Sequence, residues 1–154
     1  TTLLAVFVKD GLLEWVSIGD SPLYLVRGGK IERLNADHSL APVLDLMAEN
    51  GEISAEQAEA DPRRSALRDA VMGQPLKLTD FGGPLELQDG DAVLLGSDGM
   101  QTLDLDRWAD LCSAAAESGP EAILEHAFSE IEALDAPGQD NCTAILMSVH
   151  DTAA

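Results

Sequence analysis

Basic residues are scarce in this chain: nine Lys and Arg stand against 28 Asp and Glu, and none occurs after Arg107. The resulting charge of −19 repels nucleic-acid phosphates and anionic membranes, which argues against both as partners. The acid excess reads first as a solvated surface. Cysteine is nearly absent too. Cys112 and Cys142 have no CxxC spacing and lie in apolar stretches, so two buried, reduced thiols in a cytoplasmic protein are expected. No HxxxH or CxxC pair offers a zinc site. No apolar run approaches the ~20 residues of a membrane span. The N-terminus shows no basic-then-apolar leader. The chain opens on Thr1 rather than Met, and the expectation is a processed product or an excised piece.

What is present fits one packed domain over residues 1–154. The apolar fraction is 45%, and a chain of this length buries about two-thirds of its unfolded surface. The first third reads as a β-meander. Thr2–Val8 and Leu12–Ile18 flank the hairpin turn Asp10-Gly11, and Leu23–Val26 and Ile31–Leu34 flank Gly28-Gly29. Leu23 and Leu25 alternate with Tyr24 and Val26, which suggests burial on both faces of that strand.

A helical period marks Ser39–Asn50. Ser54-Ala55-Glu56-Gln57 forms a capping box that opens a second short helix, ended by Pro62. Further strands are expected at Leu76–Leu78, Leu85–Leu87 and Ala92–Leu95. Helices are expected at Asp106–Glu117 and from Pro120, with a closing strand at Cys142–Val149. The pattern predicts an α+β sandwich rather than a doubly wound parallel sheet.

Two acidic turns carry the chemistry. Gly96-Ser97-Asp98-Gly99 follows the apolar run Ala92–Leu95, and Gln139-Asp140-Asn141 precedes the apolar run Thr143–Met147. Two such tips on neighbouring strands converge carboxylates on one point, which is how oxygen ligands for a hard divalent cation are assembled.

Alongside these turns stand Gly19-Asp20-Ser21, Tyr24-Leu25, Asp37-His38-Ser39, Pro62-Arg63-Arg64-Ser65, Gly90-Asp91 and Asp140-Asn141-Cys142-Thr143. In this order, from Thr1 to about Val149, the series resembles the metal-dependent serine/threonine phosphatases of the PPM, or phosphatase 2C, family, specifically its compact bacterial members. The resemblance implies an α-β-β-α sandwich of two antiparallel sheets flanked by helices. It implies Asp98 and Asp140 as carboxylate ligands of a binuclear Mg²⁺ or Mn²⁺ centre. Asp20, sharing Asp98, is implied at the third metal of bacterial members, with Ser65 contributing weakly or through water, and Asn141 orients the loop. The implied reaction is attack on phosphoserine or phosphothreonine by a metal-bridging water. The implied partners are phosphorylated proteins and a serine/threonine kinase of the same pathway.

The chain departs from that pattern. The family's early acidic residue, its Asp-Gly turn bridging the metals and its phosphate-gripping basic residue are not found, and Pro22 stands where many relatives carry Arg. The expectation is therefore the C-terminal part of a longer catalytic domain, inactive alone. Two alternatives stay open. One is a non-catalytic binding or regulatory module of the same fold. The other is a stress-signalling phosphatase acting on an anti-sigma antagonist, which the Pro62–Ser65 stretch and its preceding helices resemble. Taken as residues, Asp37-His38-Ser39 reads as helix capping, and Arg63, Arg64 and Arg68 read as partners for the acid excess, with guidance of a phosphorylated substrate as the other option.

Overall fold

The computed structural model describes residues 1–150. Strands β1 (Leu3–Lys9) and β2 (Leu12–Ile18) pair around Asp10 and Gly11, both at positive φ, as a tight hairpin of this twist requires. Strand β3 (Leu23–Arg27) turns through Gly28-Gly29 into β4 (Lys30–Arg33). Helices α1 (Ala41–Glu49) and α2 (Ala55–Glu59) follow, then β5 (Asp80–Glu86) and β6 (Ala92–Gly96). A 3₁₀ turn at Asp98–Thr102 leads to α3 (Leu105–Ser113), α4 (Ala115–Ser118), α5 (Pro120–Leu134) and β7 (Ala144–Ser148).

The strands form two antiparallel sheets, β1-β2-β5 and β4-β3-β6-β7. Between the sheets lie Leu13, Leu23, Leu25 and Val93, packed by Leu4, Val6, Trp15 and Met147. The opposite face of the four-stranded sheet presents Tyr24, Val26, Leu94 and Leu146 to Met100, Trp108, Ile123 and Ala127. Both faces of β3 are thus buried, as the alternation predicted. Among the described residues the outer face of the three-stranded sheet carries no helix layer: Phe7 is 61% and Phe81 76% exposed.

The capping box forms, with Ser54 Oγ accepting from Gln57 N at 3.1 Å and Gln57 Oε1 from Ser54 N at 2.8 Å. Three expectations need correction. Leu76–Leu78 is not a strand, because the Asp69 carboxylate takes the amide hydrogens of Lys77 and Leu78 that a strand partner would need. Strand β5 begins at Asp80 instead and runs through Gly82-Gly83-Pro84, where an extra residue opposite Leu13–Trp15 makes a bulge. The helix expected over Asp106–Glu117 is two, parted at Ala114, whose amide reaches back only to Leu111.

One ion pair ties both sheets to the turn before β6. Asp91 is 2% exposed and accepts from Arg27 Nε at 2.8 Å, Arg27 Nη2 at 2.6 Å and Gln88 N at 2.7 Å, while Arg27 also reaches the Glu86 carbonyl. Burial pushes the Asp91 pKa up, but the Arg27 and Gln88 hydrogen bonds and the Arg27 charge outweigh it and hold the carboxyl below 3.8. A depressed folded pKa stabilises above the unfolded value and loses that contribution as pH falls through the folded one. Arg27→Met leaves a buried carboxylate without its cation. It is expected to cost about 2 kcal/mol at neutral pH, read from the urea midpoint, with the deficit shrinking as pH drops below 3.8.

Candidate metal centre

The acidic turns gather at one end of the four-stranded sheet because of strand register. Gly96 at the end of β6 pairs with Ala144 at the start of β7, and Leu95 pairs with Leu23 at the start of β3. Asp98 therefore leaves the sheet beside the segment carrying Asp140, and beside the turn carrying Asp20. Asp98 and Asp140 line one cavity of about 280 Å³ with Gly99, Gln101 and Gln139. Asp98 also lines a second cavity, of about 410 Å³, with Asp20, Asp37, Asp45, Asp61, Arg64 and Ser65. All four candidate ligands of the sequence reading thus border these two cavities, with Asp98 common to both. Asp98 and Asp140 are exposed and Asp20 is half-buried.

Two glycines make the approach of the loops possible. A Cβ on Gly99 would stand 2.6 Å from the Asn141 carbonyl oxygen and 3.0 Å from that of Asp140. On Gly96 it would stand 2.2 Å from the Thr143 carbonyl oxygen. These contacts are with backbone and cannot be relieved by a rotamer change. Ser97 stitches the same seam, donating to the Asn141 carbonyl at 3.0 Å and accepting from Thr143 N at 3.0 Å. Gln139 Nε2 donates to the Asp140 carbonyl at 2.7 Å and to the Gly99 carbonyl at 3.3 Å. Ser97 and Gln139 carried no role in the sequence reading, since nothing in their spacing shows that the two turns touch. Gly99→Ala is expected to cost about 1–3 kcal/mol by overpacking and to part Asp98 from Asp140. A urea midpoint and a Mn²⁺ titration, both falling, check it.

The electrostatics suit a cation. Burial raises the Asp20 pKa, its own amide lowers it, and the charges of Asp98 and Asp37 raise it further against a smaller pull from Arg33. Carboxylates that repel one another gain most when a divalent ion enters between them. The donors are hard oxygens, which match Mg²⁺ or Mn²⁺ rather than zinc. Among the described residues no group of three or more His, Cys, Asp or Glu side chains is assembled for a metal. The residues present therefore fit an ion that keeps much of its water.

The other polar candidates are engaged. Arg64 pairs with Asp45 at 2.7 Å and Arg63 with Asp61 at 2.7 Å, and Arg63 pulls the Asp61 pKa down to about 2. Arg68 bonds the Ser39 carbonyl instead of a carboxylate. The capping reading of Asp37-His38-Ser39 holds only in part. Ser39 Oγ accepts from Ala41 N at 3.2 Å, but the N-cap itself is Leu40, and His38 turns inward to the Gly19 amide. Cys112 is buried, with its thiol pushed up to about 12 by that burial, and Cys142 is partly buried.

No family model matches the chain. Over 151 residues it is 29% identical to the protein phosphatase PhpP of Streptococcus pneumoniae, covering 98% of this chain and 58% of that protein. Over 152 residues it is 34% identical to the serine/threonine protein phosphatase PstP of Mycobacterium tuberculosis, covering 98% of this chain and 28% of that protein. The S. agalactiae serine/threonine phosphatase superposes with a TM-score of 0.78 at 23% identity, over 96% of this chain and 59% of that one, a likeness of fold. A catalytic domain of PstP, solved in complex with two manganese ions, gives 0.66 at 25% identity, over 97% of this chain and 59% of that one. The chain spans little more than half the length of the first of these relatives.

Proposed function

We infer that this chain, by sequence and fold a member of the bacterial PPM (protein phosphatase 2C-like) phosphatases, supplies part of a centre that hydrolyses phosphoserine and phosphothreonine in proteins. The observation that carries this reading is Asp98, set at the tip of β6 where it borders both Asp140 and Asp20 across two adjoining cavities.

In this reading Asp98 and Asp140 hold Mn²⁺ or Mg²⁺ from one side, Asp20 and Asp98 hold a further ion, and Ser65 contributes weakly or through water. When bound, such ions would lower the pKa of a coordinated water and neutralise phosphoryl oxygens. The side chains fix where that charge sits. Gln139 and Ser97 hold the loops through their backbones and leave the carboxylate of Asp98 open to the cavities. Among the described residues no Cys or Ser that borders these cavities is partnered with a base, which favours direct attack by water over a phospho-enzyme.

Six Asp side chains border the cavities, yet among the described residues no three are gathered as ligands for one ion, and the one cation lining the cavities there, Arg64, is tied to Asp45. Residues 1–154 alone are accordingly inactive or nearly so, and turnover belongs to a longer chain that contains them. Phosphorylated proteins are its substrates, and a serine/threonine kinase of the same pathway is its counterpart. A non-catalytic binding module is the second reading, favoured by the lack of any three-carboxylate group among the described residues. Phosphate release from a phosphothreonine peptide by the longer chain decides between them. Release that requires Mn²⁺ and stops with EDTA supports the enzyme. Release unaffected by EDTA overturns the metal reading, and no release at all leaves the binding module.

A further inference from the structure

The turn that carries Asp20 is held by side chains from one short stretch, residues 33–38. The His38 Nδ1 accepts from Gly19 N at 3.1 Å, and His38 N donates to the Gly19 carbonyl at 3.1 Å, so both polar groups of Gly19 end on one residue. Arg33 Nη2 donates to the Asp20 carbonyl at 2.8 Å. Asn35 Nδ2 donates to the Ser21 carbonyl at 2.9 Å, while its Oδ1 accepts from Leu23 N at 2.8 Å. The Ser21 hydroxyl meets that of Thr2 at 2.9 Å.

Every one of these bonds grips backbone or the neighbouring Ser21. Among the described residues no hydrogen bond from another residue falls on the Asp20 carboxylate. A network that immobilises a turn and leaves its carboxylate unclaimed is the pattern of a ligand held in place by outer partners. Gly19 sits at φ +102°, and a Cβ there would come within 2.5 Å of the Thr2 methyl, so only glycine fits here, and holding its two peptide groups fixes the course of the turn. His38 is placed for that task. It is 4% exposed, its carbonyl is fixed by Arg68 N at 2.8 Å, and acceptance at Nδ1 places the ring proton on Nε2.

We propose that His38 is a positioning residue for Asp20: through the Gly19 amide its imidazole sets the direction in which the Asp20 carboxylate meets a divalent cation beside Asp98. This rests on the reading of Asp20 as a cation ligand. Arg33 and Asn35 hold the later part of the same turn. Among the described residues only His38 bonds both polar groups of the residue before Asp20, the imidazole at the Gly19 amide and the backbone N at the Gly19 carbonyl, and together they fix how the chain turns into Asp20.

Mn²⁺ binding to residues 1–154, followed by electron paramagnetic resonance up to millimolar cation, tests this directly. Asp20→Asn should remove one class of bound Mn²⁺. His38→Leu should weaken the same class about 10- to 100-fold, with no further loss when added to Asp20→Asn. His38→Asn, whose amide oxygen occupies the place of Nδ1, should bind close to wild type. His38→Gln, whose oxygen occupies the place of Nε2, should behave as His38→Leu. This pair of polar variants answers the question even where the leucine variant fails to fold.

A His38→Gln protein that melts earlier yet binds Mn²⁺ like wild type overturns the proposal and leaves Asp20 as a ligand. Wild-type binding that Asp20→Asn does not alter, or no binding at all, overturns the ligand reading together with the proposal.

Discussion

Asp98→Asn is expected to weaken Mn²⁺ binding by at least about 100-fold, since loss of even an outer partner of a metal ligand costs 10- to 100-fold. The effect should exceed that of Asp20→Asn or Asp140→Asn because Asp98 borders both cavities, whereas each of the others borders one. Turnover in the longer chain should fall with it. Stability should move the other way. Asp98 is one of the charges that raise the Asp20 pKa, after burial, and an amide at position 98 removes that repulsion. A carboxyl whose folded pKa is raised costs stability above that value, and the cost fades as pH falls through it and is gone below the unfolded 3.8. The metal-free Asp98→Asn protein should therefore melt slightly higher than wild type at neutral pH, with the gain lost in acid. Calorimetric titration and a pair of melting curves read both signs. An unchanged Mn²⁺ isotherm removes Asp98 from the centre.

Trp108→Ala is expected to cost about 3–5 kcal/mol, the range for emptying a large buried aromatic site. A domain of this kind has roughly 5–15 kcal/mol to lose. Trp108 is 0% exposed, lies on α3 against Tyr24, Met100 and Leu111, and donates from Nε1 to the Met100 carbonyl at 2.9 Å. Removal opens a cavity and leaves that carbonyl only the longer, 3.3 Å bond from Leu103 N. Met100 sits in the 3₁₀ turn that starts at Asp98, so the loss reaches the candidate cation site as well. Trp108→Phe separates the two effects. It keeps most of the apolar bulk and loses only the donor, for about 1–3 kcal/mol. Urea midpoints of the two variants that coincide with wild type would sink this account of the core.

The meander was legible because its signals are local. Asp10-Gly11 and Gly28-Gly29 fix hairpins, and alternating apolar residues mark which strands are buried. Strand β5 was not legible, since Gly82-Gly83-Pro84 lacks β-forming side chains and becomes a strand only by pairing with β2, where the Trp15 indole fills the space a Gly82 side chain would need. Leu76–Leu78 misled for the converse reason: its pattern is apolar, but a carboxylate eight and nine residues upstream captures the amides of Lys77 and Leu78. At the candidate centre, Asp98 and Asp140 stood out by their strand tips, and their role as candidate ligands came from the family resemblance. What keeps the tips together could not, because Gly99 and Ser97 act on backbone more than 40 residues away in sequence. His38 suffered similarly. Its neighbours Asp37 and Ser39 imitate a capping motif, and its partner Gly19 is distant in the chain.

The uncovered side of the three-stranded sheet also bears on how the isolated chain behaves in a tube. Copies carrying −19 each hold one another off while buffers are dilute and near neutral, and their greasy aromatic patches do not meet. Molar salt shortens the reach of that repulsion to about 3 Å, and acidification towards the isoelectric point near 4.1 abolishes it. Colloidal clustering should then set in through Phe7 and Phe81 while the interior stays native.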